Sequence, residues 1–94
     1  NQKQVQVEIK IRNYYNQFET LKKQIRTQES ALTNYLSLVN AEEKRFENGE
    51  SSLFLINSRE MKSLEAAEKL ADLKAYLQKT TFALQASAGI LYEN

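Results

Sequence analysis

The 94 residues include no His, no Cys and no Trp, so the side chains whose spacing first invites a chemical reading are the carboxylates and the tyrosines. General acid–base work needs a group tuned by its surroundings and held within hydrogen-bond reach of the reacting atom. Two pairs of acids have a spacing that invites the question: adjacent Glu42-Glu43, and Glu65/Glu68 one helical turn apart. Carboxylates bind metals in helical bundles when a Glu-x-x-His motif completes the ligand set, and no histidine exists here to complete one. Both pairs therefore read as solvated helix surface. The tyrosines (Tyr14, Tyr15, Tyr35, Tyr76, Tyr92) offer rings for stacking on a ligand, yet aromatics at helical spacing belong to cores and helix contacts. The expectation is no enzyme, no catalytic residue, no metal and no cofactor.

The elements that would position such groups follow from composition. There is no Pro and there are only two Gly, so the chain has almost no helix breakers, and abundant Leu, Ala, Glu, Lys and Gln favour helix. The fold class is all-α. Thirteen basic and twelve acidic residues nearly cancel, leaving no electrostatic argument for nucleic acid or an anionic membrane surface. The longest strongly apolar run is Leu53-Phe54-Leu55-Ile56, too short to cross a bilayer as a helix. With no initiator Met and no signal-peptide pattern at Asn1, the chain reads as a piece of something larger.

One set of positions follows a 4-3 spacing without a slip: Val7, Ile11, Tyr14, Phe18, Leu21, Ile25, Gln28, Leu32, Tyr35, Val39, Glu42 and Phe46. Ten of these twelve are apolar or aromatic, which is a heptad seam. Gln28 and Glu42 interrupt it, either fixing the register between helices or facing a water-filled space. A weaker stripe through Tyr15, Ala31, Leu36 and Leu38 suggests more than one neighbour. At the start, Val5, Val7, Ile9 and Ile11 alternate as a strand would. Helix is the reading, because Val7 and Ile11 already belong to the seam; a strand leading in is the alternative.

The only loop signal is Asn48-Gly49-Glu50-Ser51-Ser52. Gly49 supplies the left-handed residue that caps the first helix, and Ser51 or Ser52 is the N-cap of the second. The spacing thus predicts a helix over about 3–48, a tip loop at 48–52 and a helix over about 53–88, long antiparallel partners of roughly 70 and 55 Å. The second seam reads Ile56, Ala67, Leu70, Leu77, Leu84 and Leu91, interrupted at Glu60, Ser63, Lys74 and Thr81. Seven of nine alanines lie in this helix, which suits close neighbours. Gly89 marks its end or a kink, with Ile90-Leu91-Tyr92 opening the next element. The run at 53–56 faces every side of a helix, so one partner helix cannot cover it. Either Phe46 and Leu53 merely close the hairpin end, or the run is buried against neighbouring hairpins or a docking partner.

The stretch RFENGESSLFLINSREMKSLEAA resembles the TolC-like outer-membrane efflux protein family: an aromatic three residues before a Gly, small hydroxyl residues, an apolar run, then a long Ala- and Leu-containing helix. The trailing LQASAGIL is similar to the small-residue ending of that family's last long helix. The resemblance covers nearly the whole chain, with residues 45–67 and 84–91 distinctive. It implies a homotrimer in which a barrel in the outer membrane continues as a helical tunnel through the periplasm. This chain would be the second of each subunit's two hairpins. Its tip would meet a periplasmic adaptor linked to an inner-membrane pump. Phe46 takes the aromatic tip position and Gly49 the turn glycine, flanked by Asn48 and Glu50. Ser51, Ser52, Leu53 and Phe54 begin the returning helix. Better-known members carry acids six and nine positions after that glycine, where this chain has Leu55 and Ser58. A cation-binding carboxylate ring at the entrance is therefore not expected, and a hydrophobic constriction by Leu55 takes its place. Two rivals remain: a hairpin from the adaptor itself, and a cytoplasmic coiled-coil scaffold dimerising through the seam.

Overall fold

A computed structural model describes the backbone of residues 1–93 and the side chains through residue 89. It holds two helices, α1 (Gln2–Glu47) and α2 (Leu53–Glu93), and no strand among the described residues. The fold is an all-α helical hairpin. At the start of α1, Val7 and Ile11 are half-buried while Val5 and Ile9 are exposed. A strand would place all four on one face; a helix separates them, and the heptad seam prevails.

The chain divides into two compact units, one joining Asn1–Gln24 to the residues from Leu73 onward, the other Ile25–Asp72 with the turn. In the first, Val7, Ile11, Tyr14, Phe18 and buried Leu21 turn away from solvent, as do Leu73, Leu77, Thr80, Leu84 and Ser87 of α2. In the second, the same is true of Ile25, Gln28, Leu32, Val39 and Glu42 on α1, and of Ile56, Arg59, Ser63, Ala66 and Leu70 on α2. Hydrogen bonds tie 28 to 66 and 42 to 59, so the two helices of this unit run antiparallel.

These positions correct the expected register of α2. Ile56, Leu70, Leu77 and Leu84 face inward as the spacing predicts, but the alternate seam positions are Arg59, Ala66, Leu73, Thr80 and Ser87. The expected Glu60 and Lys74 are exposed, and Ala67 and Thr81 sit half-buried on the flank. The physical reason is economy of burial. A shift by one residue replaces two charges at the seam by Arg59, which has an acid to meet, and Leu73, which has nothing polar to desolvate. Leu91, the last expected seam residue, has its side chain outside the described residues.

Gly89 does not end α2, which continues to Glu93, so Ile90-Leu91-Tyr92 belong to the same helix and do not open a new element. A glycine inside a helix costs about 0.5–1 kcal/mol relative to alanine but does not stop it, because only a left-handed backbone or a lost hydrogen bond would. Gly49, with φ +76°, is the chain's left-handed glycine among the described residues. The Glu50 N–H donates to the Arg45 carbonyl (2.8 Å) and the Gly49 N–H to the Phe46 carbonyl (3.0 Å). This nested pair closes the end of α1 as a Schellman motif.

Candidate functional site

The tip is built by two caps and one buried carboxylate. Ser52 is the N-cap of α2: its Oγ accepts from the Leu55 N–H at 3.2 Å, and its carbonyl accepts from the Ile56 N–H at 3.1 Å. The choice between the two serines falls this way because Ser51 is engaged elsewhere. Its hydroxyl donates to Glu42 Oε2 at 2.6 Å.

Glu42 is 3% exposed, the most enclosed charged side chain among the described residues. Its other oxygen, Oε1, accepts from Arg59 Nε at 3.3 Å. Arg45, one turn along α1, brings Nη1 to 3.5 Å of Oε2 while its Nη2 donates to the Glu50 carbonyl at 3.3 Å. One carboxylate therefore joins the last turn of α1, the loop and the second turn of α2. The Ser51 hydrogen bond is the largest influence holding its pKa below the ordinary glutamate value, and Arg59 and Arg45 add to it against the opposing effect of burial. Every buried side-chain polar atom among the described residues has a partner.

Sequence reasoning placed Glu42 in the seam, and there it is, spanning the helices as a register-fixing residue would. The companion reading of Glu42-Glu43 as solvated surface holds for exposed Glu43 and fails for Glu42. Gln28 likewise reaches across, its Nε2 donating to the Ala66 carbonyl at 3.2 Å. Arg59 escaped that reasoning. The signal for it was the unpaired acid at a seam position of α1, which calls for a base at the mirrored position beyond the turn.

The apolar run divides. Ile56, 8% exposed, enters the seam, whereas Leu53 and Phe54 are 62% and 78% exposed and Leu55 and Phe46 also face solvent. Phe46 and Leu53 thus do not simply close the hairpin end. Asn48, Gly49, Glu50 and Ser58 are exposed as well, while Ser51 is half-buried. Three of the expected tip residues, Gly49, Ser51 and Ser52, carry internal structural tasks; the side chains free to meet a partner are chiefly the apolar ones.

Further apolar groups stand on the outward face of α2. Phe54, Met61 and Phe82 recur at multiples of seven residues, opposite the seam, and Leu64 lies beside them; all four are exposed. On α1, Tyr15, Leu36 and Leu38 of the weaker stripe are exposed too, and Ala31 is half-buried. Glu65 and Glu68 point to solvent. No cluster of three or more potential metal ligands occurs among the described residues, and no helix there is long and apolar enough to cross a membrane. In the unit containing residues 1–24, an open groove is lined by amides (Asn13, Asn16, Gln17, Gln24), the hydroxyls of Thr20 and Tyr76, and Leu21.

No protein-family model, no curated protein and no solved structure matches this chain.

Proposed function

We propose that this hairpin is a periplasmic segment of a trimeric outer-membrane efflux channel. In that role its tip docks a periplasmic adaptor, which links the channel to an inner-membrane pump. The observation that carries the reading is the tip itself: a rigidly capped turn followed at once by three exposed large apolar side chains, Leu53, Phe54 and Leu55, with exposed Phe46 before it. Exposed apolar patches of this kind mark interaction surfaces. The outward residues of α2 and the flank of α1 support the same reading, since a hairpin inside a ring of hairpins needs lateral contacts as well as its own seam. The role is assembly and conduction rather than chemistry, and the resemblance at residues 45–67 and 84–91 supplies the family. In this proposal Leu55, with Ser58 one helical turn further on, stands at the entrance as an apolar constriction.

The test is made in the complete protein. Membrane fractionation should place it in the outer membrane, and Phe54→Glu should abolish co-purification with the adaptor and reduce export of the channel's small-molecule or protein substrate while the amount of channel stays unchanged. The exposed Glu65→Gln serves as the control and should do neither. Recovery in the soluble fraction would point to the cytoplasmic scaffold, and residence in the inner-membrane fraction to the adaptor; either defeats the proposal.

A further inference from the structure

The carboxylate of Glu42 is buried at the end of a helix pair where no reaction calls for it. An apolar side chain would fill the same seam position without desolvating a charge. Its contacts say what it does. Ser51 belongs to the turn, Arg59 to α2 and Arg45 to α1, and Arg45 passes the connection to the Glu50 carbonyl. The Glu50 N–H in turn closes the Schellman motif on the Arg45 carbonyl. From Glu42 a hydrogen bond to Ser51, and an ion pair to Arg45 that leads on by hydrogen bond to Glu50, therefore tie the carboxylate to the loop that precedes Leu53, Phe54 and Leu55. The seam beneath is weak at this end: Phe46 is exposed, and Ile56 is the buried apolar residue nearest the turn. Apolar packing alone leaves the turn free to splay, whereas directional bonds do not.

We propose that Glu42 is a positioning residue, whose carboxylate fixes the turn through Ser51, Arg59 and Arg45 so that the apolar tip is presented in a single orientation. What the tip meets rests on the function proposed above; the ordering of the tip does not. The charged groups facing Glu42 are Arg45 from its own helix and Arg59 from α2, and the turn adds only the neutral Ser51 hydroxyl. The arrangement is poised to favour the charged carboxylate, so the tip stays ordered through neutral and mildly acidic surroundings and loosens only when the carboxylate takes up a proton.

Amide hydrogen exchange on the full chain, with no partner present, tests this. Glu42→Gln keeps the shape and removes the charge, and it should raise exchange across 48–56 by about tenfold or more while segments around Leu21 and Leu70 keep their protection. Acidifying the wild type below the ordinary glutamate range should reproduce the effect, and the Gln variant should show no such transition. Should that variant fail to fold, Ser51→Ala and Arg59→Gln each remove one partner and should each loosen the same segment. Unchanged tip exchange in these variants, or equal loosening of tip and body, overturns the assignment. Because no adaptor takes part, a wild-type tip that is ordered but fails to co-purify with any adaptor would defeat the functional proposal and leave this one standing.

Discussion

At the scale of single residues, the tip depends on a few atoms whose loss has a calculable sign. Glu42 is held in its charged form by the fold, with its pKa lowered by Ser51 first and by the two arginines. A group whose folded pKa is depressed contributes stability that is fully present above its unfolded pKa and fades as pH falls through the folded value. Thermal unfolding should therefore show a loss of Tm below about pH 4.5, the ordinary glutamate value, that is smaller in Glu42→Gln. An identical acid profile in that variant would refute the linkage. Gly49 poses a different problem, since a Cβ there would meet nothing within 4 Å and φ is +76°. The cost of Gly49→Ala is then backbone strain alone, about 1–2 kcal/mol, and Gly49→Asn should recover part of it because Asn tolerates the left-handed region better. Denaturant titration of the three proteins measures this. Equal stability of Gly and Ala would mean that the turn readily adopts another form.

Elements are where the sequence was most and least legible. The long seam of α1 could be read directly, since its apolar residues are large and the interruptions few, and ten of its twelve positions turn away from solvent in the structure. The turn was legible because Asn48-Gly49-Glu50-Ser51-Ser52 gathers a glycine and small polar residues in one place, in a chain otherwise so poor in breakers. The register of α2 was not, because its inward face includes Ser63, Ala66, Thr80 and Ser87, side chains too small or too polar to announce burial. Large apolar residues lie on its outward face instead, so hydrophobicity alone cannot say which face is inner. Truncation settles the register. Leu73→Ala should cost about 1–2 kcal/mol, less than a fully buried leucine because Leu73 is only half-buried. Lys74→Ala should stay within about 0.5 kcal/mol of the wild type; the reverse order would restore the seam expected from spacing, through Ala67 and Lys74. Gly89→Ala tests the continuity of the helix end: in an unbroken helix it stabilises by up to about 1 kcal/mol, whereas at a true C-terminal cap it would destabilise.

For the molecule as a whole, exposed large apolar side chains outnumber buried hydrophobic ones among the described residues. The buried hydrophobic residues among those described are Leu21, Ile25, Ile56, Ala66 and Leu70, and the exposed large ones include Phe54 and Phe82, each more than 70% accessible. A net charge of +1 gives little repulsion to keep copies apart. Isolated chains should accordingly self-associate, and sedimentation should show the association weakened by Phe54→Glu with Met61→Glu and untouched by Glu65→Gln. In the assembled channel proposed here, the same logic of charge and apolarity reaches the entrance. Divalent cations block a pore by binding oxygen ligands, several at once and preferably carboxylates. Leu55 offers none and Ser58 only a neutral hydroxyl, so calcium or magnesium should leave the single-channel conductance unchanged. Leu55→Asp would place one carboxylate per subunit around the axis and create block where none existed. Strong block of the wild type would show that other oxygens line the constriction and would remove Leu55 from that role.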